Sequence, residues 1–148
     1  MKIIISEDIL KRIHNHGENA YPEEGAGLML GSVKDGNRKV KELLFLDNAR
    51  EDGARHNRYL ITAEDMLRGE REAEHRDLSI IGIFHSHPDH PSQPSEFDRE
   101  YALPWYSYLI TRIEKGQALE SRCWRLMEDR SGFDPEEIHL TPEGREED

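Results

Sequence analysis

The sequence has a single cysteine and no hydrophobic run long enough to cross a membrane. Cys123 has no partner within the chain for a disulfide, which fits a reducing compartment. No apolar run approaches the roughly 20 residues that a membrane-spanning helix needs, and the apolar stretch near the N-terminus is too short for the core of a signal peptide. We therefore expect a cytoplasmic protein that does not act at a membrane.

Basic residues are also scarce. The chain has 20 Lys and Arg against 31 Asp and Glu, a net charge of −11, which argues against nucleic acid as the main partner because phosphate binding needs a basic surface. A length of 148 residues with 35% hydrophobic content is typical of one globular domain. We expect residues 1–141 to form this domain and the acidic residues 142–148 to be a disordered tail.

Short segments that are apolar, or in which apolar and polar residues alternate, predict several strands, and N-cap residues predict the helices between them. Ser6 stands at an N-cap position before an amphipathic helix that we expect to end at Gly17. Residues 133–140 are expected to add a last strand at an edge of the sheet. This order predicts an α/β fold of the α+β type, in which a mixed β-sheet is flanked by two or three helices.

The most informative stretch is a buried strand that ends in two histidines. Residues 78–84 form an apolar, β-branched run, which is typical of a buried strand. His85-Ser86-His87 follows directly, and alternate residues of an extended chain point to the same side, so both imidazoles reach one point. Imidazole nitrogens are zinc ligands, and a catalytic zinc site uses three protein ligands and a water. The simpler alternative is a pair of ordinary histidines without a metal.

Two sequence patterns compete to supply the third ligand. The first, His85-x-His87-x-Asp89-His90, matches the H-x-H-x-D-H pattern of the metallo-β-lactamase fold. That fold normally has a longer chain and further metal ligands far downstream, where this sequence has only His139. We therefore keep a metallo-β-lactamase-type hydrolase as the less favoured interpretation.

The second pattern joins the histidine pair to a predicted helix start beyond a proline-rich turn. His85-x-His87, seven residues, Ser95, two residues and Asp98 match the signature of the JAMM (MPN+) metalloproteases. That family also has a glutamate well upstream, in the pattern Glu-x-x-Gly, and Glu24 occupies this place. The chain thus resembles the JAMM/MPN+ (Mov34/MPN/PAD-1) zinc metalloproteases, as a short prokaryotic-type member.

The resemblance implies a fold and a role for each motif residue. The fold would be the cytidine-deaminase-like JAMM/MPN fold. His85, His87 and Asp98 would bind one Zn²⁺ per chain and leave the fourth position to a water. Glu24 would accept the proton of that water and pass it to the leaving amine, and Ser95 would donate a hydrogen bond to the oxyanion.

The resemblance also implies a substrate class. The family cleaves peptide or isopeptide bonds, and prokaryotic members resemble processing enzymes for ubiquitin-like or sulfur-carrier proteins, so the partner would be the C-terminal tail of such a protein or another peptide. One departure from the family is Ala26, where many members have cysteine. A non-catalytic interaction module that contains zinc remains an alternative.

Overall fold

The computed structural model describes residues 2–47, 59 and 61–142, and the secondary structure of these ranges comprises seven strands and three helices. The elements are β1 (Lys2–Ser6), α1 (Glu7–Ala20), β2 (Ala26–Lys34), β3 (Asn37–Leu46), α2 (Ala63–His75), β4 (Ser79–Pro88), α3 (Glu96–Tyr101), β5 (Ser107–Glu114), β6 (Gln117–Leu126) and β7 (Phe133–Thr141). Among the described residues, no helix is long and apolar enough to cross a membrane. The division into a domain over 1–141 and a tail over 142–148 stays a prediction, because residues 143–148 lie outside the described part.

The seven strands hydrogen-bond in the order β1-β3-β2-β4-β5-β6-β7 and close into a barrel. The pairs β1–β3, β1–β7 and β4–β5 are parallel, and the other pairs are antiparallel. Helices α1, α2 and α3 accompany this mixed sheet. The predicted α+β class with a mixed sheet is therefore confirmed.

The last strand differs from the prediction in its position. It was expected at an edge, but β7 pairs with β6 on one side and with β1 on the other. Lys2 lies opposite Glu137 and Ser6 opposite Thr141, so the two ends of the described chain close the sheet. The prediction of an edge is wrong because the polar residues of β7 reflect one solvent-facing side of the strand and carry no information about its backbone pairing.

Helix α1 runs through Gly17 instead of ending there. A Cβ atom at Gly17 would lie 2.9 Å from Ile113 Cδ1 and 3.2 Å from Ser86 Cβ. The residue is therefore a point of close approach between the helix and strands β4 and β5, and the helix continues to Ala20. The predicted helix end at Gly17 is wrong because this glycine allows the helix to pack closely on the sheet and does not form a C-cap.

Strand β4 lies inside the barrel wall between β2 and β5, and all of its residues after Ser79 are buried. Ile81 and Phe84 contribute to one hydrophobic cluster, against which α1 packs, while Ile80 and Ile83 contribute to a second cluster beneath α2. Burial on both faces explains the nearly continuous apolar run of this strand. A strand held on both edges and both faces is a rigid support for the residues at its end.

A buried polar cluster lies near the start of β4. Glu136 Oε1 accepts hydrogen bonds from Ser107 Oγ at 2.6 Å and from Cys123 Sγ at 3.4 Å, and Oε2 accepts one from Arg125 at 2.8 Å. Arg38 donates to the Ser107 hydroxyl at 3.1 Å. Glu136 is therefore the shared acceptor of the cluster, and its removal would leave buried donors without an acceptor.

We predict that Glu136→Ala lowers the free energy of unfolding by about 3 kcal/mol, because the buried hydroxyl of Ser107 and the half-buried guanidinium of Arg125 lose their acceptor. Urea denaturation measures this change. Glu137→Ala is the matched control, since the neighbouring glutamate is exposed and its loss should change stability by no more than about 0.5 kcal/mol. Equal effects of the two substitutions would contradict a special role for Glu136.

Candidate metal centre

His85 and His87 lie near the end of β4, where neighbouring strands hold both edges. His85 is paired with Ala26 of β2 and with Ile110 of β5. The imidazoles point to the same side, as the alternation predicts, and their Nε2 atoms are 3.2 Å apart. Both residues are buried, with exposed fractions of 1% and 5%. The strand thus fixes two imidazole nitrogens at close spacing.

Asp98 reaches the same point from the start of α3. Its backbone N–H donates to Ser95 Oγ at 3.0 Å, and its Oδ2 accepts from the Ser95 N–H at 2.9 Å, which completes a capping box. Asp98 Oδ1 also lies 3.3 Å from His85 Nε2, and Oδ2 lies 3.1 Å from His87 Nε2. The helix cap therefore orients the carboxylate toward both imidazoles.

The spacing of these three residues provides a test of metal fit. A tetrahedral zinc ion with bonds of about 2.0–2.1 Å holds its ligand atoms about 3.3–3.4 Å from one another. The Nε2 atoms of His85 and His87 are 3.2 Å apart, and each faces a different oxygen of the Asp98 carboxylate, Oδ1 at 3.3 Å from His85 and Oδ2 at 3.1 Å from His87. The residues could therefore hold an ion of this size with only small adjustments.

The hydrogen bonds of His87 support the same conclusion. Its Nδ1 lies 2.8 Å from the carbonyl oxygen of Pro91, which only accepts, so Nδ1 carries a hydrogen. In neutral His87, Nε2 then directs a lone pair at the Asp98 carboxylate 3.1 Å away. Two electron-pair donors at this distance repel unless a proton or a metal ion lies between them. Such a donor set suits a cation.

Burial and charge act in opposite directions on the pKa values of this cluster. Burial acts to raise the pKa of Asp98, but the charges and hydrogen bonds of both histidines outweigh it, and the pKa is lowered. Burial lowers the pKa of His85. Burial also acts to lower the pKa of His87, but its hydrogen bond to Asp98 and the charge of that carboxylate raise it. Asp98 thus stays ionised and offers a full negative charge to an ion.

Glu24 lies just before β2 and is buried, with 5% of its surface exposed, whereas its neighbour Glu23 is only half-buried. One carboxylate oxygen of Glu24 and one ring nitrogen each of His85 and His87 lie within 4.8 Å of one another. The structure therefore brings a second carboxylate to the histidine pair. Of the two adjacent glutamates, the one in the predicted motif position faces inward.

Ser95 is exposed at the N-cap of α3, next to the buried cluster. Its oxygen accepts the hydrogen bond from the backbone of Asp98. Because this bond uses the oxygen as acceptor, the hydroxyl proton is left to donate to another group. Ser95 can therefore cap the helix and act as a donor beside the centre at the same time.

The rival motif residues Asp89 and His90 lie in the turn after β4. The two carboxylate oxygens of Asp89 accept hydrogen bonds from the Tyr21 hydroxyl at 2.6 Å and from the Lys115 N–H at 2.7 Å. His90 is exposed. This geometry favours Asp98 over His90 as the third group at the histidine pair.

An aromatic residue that no sequence motif marks also contacts the centre. The ring of Tyr59 stacks on His85 with 4.5 Å between centroids. Tyr59 further lines a largely apolar cavity of about 390 Å³ that borders Asp98. The other lining residues are Ile61, Met66, Ile83, Phe97, Tyr101, Leu103 and Tyr108. The centre therefore opens toward an apolar surface.

Comparison with known proteins identifies the family. The model of the family described as prokaryotic homologs of the JAB domain matches residues 6–127. The chain is 40% identical over 65 residues to a desampylase of Pyrococcus furiosus, a match that covers 44% of each protein. It is 28% identical over 108 residues to a probable TtuB-protein conjugate cleaving protease of Thermus thermophilus, which covers 73% of this chain and 68% of the relative.

Solved structures agree with this assignment. A protein of Salinibacter ruber, known from a solution structure, is 39% identical with a TM-score of 0.74, over 95% of this chain and 92% of that one. A JAB1/MPN domain protein of Archaeoglobus fulgidus shares the fold at 22% identity with a TM-score of 0.57, over 95% of this chain and 99% of that one. The resemblance found in the motifs is thus confirmed, and the chain belongs to the prokaryotic JAB-domain family with the JAMM/MPN fold.

Proposed function

We propose that this protein is a zinc-dependent peptidase that hydrolyses a peptide or isopeptide bond at the C-terminal tail of a ubiquitin-like or sulfur-carrier protein. The observation that carries the proposal is the close triangle of His85, His87 and Asp98, with Glu24 beside it. The substrate class is supported by relatives named as a desampylase and as a TtuB-protein conjugate cleaving protease. The single cysteine supports a cytoplasmic location.

In this proposal His85, His87 and Asp98 hold one zinc ion. Two imidazoles and a carboxylate at close spacing are a suitable ligand set for zinc, and the Pro91 carbonyl orients the His87 ring by accepting a hydrogen bond from Nδ1. When bound, zinc lowers the pKa of a water to about 7 and polarises a carbonyl. The protein supplies the fixed geometry that this chemistry needs.

Glu24 is the proposed general base and acid. As water adds to the carbonyl carbon of the scissile bond, the Glu24 carboxylate takes one of the water protons, and it returns this proton to the amine when the C–N bond breaks. Its burial beside both histidines supports this role. Glu23, which is half-buried, is the natural comparison.

Ser95 is the proposed donor to the developing oxyanion. Its hydroxyl proton is not needed for the helix cap, and the residue is exposed to an incoming substrate. The apolar cavity beside Asp98 would receive an apolar side chain of the same substrate tail. In this proposal the groups for binding, proton transfer and charge stabilisation act on one scissile bond.

We predict that Glu24→Gln lowers kcat by about 10²- to 10⁴-fold while metal content is unchanged, because the proton acceptor is lost and the ligands remain. The assay is hydrolysis of a ubiquitin-like protein joined through its C-terminal Gly-Gly to a reporter peptide, with zinc content measured in parallel. Glu23→Gln should keep full activity. If the zinc-loaded wild type cleaves no conjugate of this kind, a non-catalytic zinc module becomes the better description.

We predict that Asp98→Ala weakens zinc binding by about 100-fold or more, whereas His90→Ala retains one zinc per chain. Equilibrium dialysis with metal analysis measures both. Asp65→Ala is a control for the lost helix cap, since Thr62 and Asp65 form the same capping box at the start of α2. Loss of zinc in His90→Ala together with its retention in Asp98→Ala would support the metallo-β-lactamase pattern instead.

We predict that Ser95→Gly lowers kcat by about 10²- to 10³-fold, since one oxyanion donor is removed. Glycine is a tolerated N-cap, so the free energy of unfolding should fall by only about a few tenths of a kcal/mol. Ser95→Thr keeps the hydroxyl and should keep most activity. An activity loss no larger than the loss of folded protein would show that Ser95 serves only as a cap.

A further inference from the structure

The serine between the two histidines makes contacts that the proposed chemistry does not explain. Ser86 is buried, with 3% of its surface exposed, and it points away from the imidazoles because alternate strand residues face opposite sides. Its Oγ accepts a hydrogen bond from the Gly25 N–H at 2.9 Å, and its own N–H donates to the Gly25 carbonyl at 3.0 Å. Ser86 therefore binds both backbone polar groups of the residue that follows Glu24.

Helix α1 packs against Gly25 from another direction. A Cβ atom at Gly25 would lie 2.9 Å from His16 Nδ1 and 3.0 Å from Ala20 Cβ, so any larger residue would push the His16 ring or the helix aside. Gly25 is thus enclosed between the helix and Ser86. With its backbone fixed in this way, the adjacent Glu24 has little freedom to move relative to β4.

A second hydrogen bond ties the other end of the same segment to the turn after β4. The Tyr21 hydroxyl donates to Asp89 Oδ2 at 2.6 Å, and Asp89 Oδ1 accepts the Lys115 N–H at 2.7 Å. The segment that carries Glu24 is therefore attached at both ends to residues beside the histidines. One attachment is buried and the other is near the surface.

We propose that Ser86 is a positioning residue that, through the backbone of Gly25, holds the Glu24 carboxylate against the histidine pair, with the Tyr21–Asp89 hydrogen bond as an outer support. The inference rests on the proposed function, in which Glu24 transfers the proton. Ser86 contacts neither the substrate nor the ligand atoms in this role. It acts on catalysis only through the position of Glu24.

The test uses the zinc-loaded full chain with Ser86→Ala, which removes the hydroxyl and keeps the backbone hydrogen bond. We expect kcat to fall about 10- to 100-fold, because small displacements of a catalytic group are costly, while KM and zinc content stay within about twofold. Hydrogen exchange should accelerate at the Gly25 amide by about 10-fold or more. This exchange is measured by NMR and does not depend on activity.

Ser107→Ala is the matched control. Ser107 is equally buried and its hydroxyl makes two hydrogen bonds, but it lies opposite Gly82, three residues before His85 on β4. This variant should lose stability, keep kcat and leave the exchange of the Gly25 amide unchanged. A similar fall in kcat for both serine variants would mean that Ser86 contributes general stability only, and the inference would be wrong.

Tyr21→Phe provides a second variant should Ser86→Ala fail to fold, since it removes one hydroxyl near the surface. We expect a smaller fall in kcat, of about 3- to 10-fold, with zinc content and KM unchanged, and no effect of Tyr106→Phe. The inference would be wrong if kcat of Tyr21→Phe were unchanged, or if its loss of kcat followed a loss of zinc. Failure of the proposed function is recognised separately. Full activity of Glu24→Gln would show that Glu24 does not transfer the proton, whereas hydrogen exchange at the Gly25 amide would still show whether Ser86 holds this backbone.

Discussion

The interaction on which the site depends is the contact of one buried carboxylate, Asp98, with two buried imidazoles. A carboxylate in a low-dielectric environment is unfavourable unless donors or positive charge surround it. Asp98 is stabilised by the Ser95 backbone on one side and faces His85 and His87 on the other. The same carboxylate therefore caps a helix and contacts both imidazoles, so helix α3 cannot move without disturbing the cluster.

The barrel explains why this contact is well defined. β4 is hydrogen-bonded to β2 and β5, and its two faces are covered by separate hydrophobic clusters, so the spacing of its histidines is fixed by the whole sheet. Glu24 and Asp98 come from segments outside β4 and reach the histidines through short connections. A rigid strand thus presents the two imidazoles, and segments that are themselves held by hydrogen bonds bring the two carboxylates to them.

Two nearly identical capping boxes show the limit of local sequence patterns. Thr62 with Asp65 begins α2, and Ser95 with Asp98 begins α3, with the same hydrogen bonds in each. Asp65 is only half-buried, whereas Asp98 is buried beside the histidines. The capping rule accounts for both helix starts because it depends on residues three apart in the chain. Which of the two carboxylates lies beside the histidine pair depends on where the fold places each helix.

The sequence alone determined the features that follow from short-range geometry: the buried strand, the two histidines on one side of it, the capped helix that presents Asp98, and the α+β class. The tertiary structure decided the features that require contacts between distant segments. It placed β7 between β6 and β1 and continued α1 past Gly17. It also turned Glu24 rather than Glu23 inward, and it bound the Asp89 carboxylate through hydrogen bonds from Tyr21 and Lys115. The physical reason is that strand alternation and helix capping act over a few residues, whereas barrel closure and side-chain burial depend on packing across the whole chain.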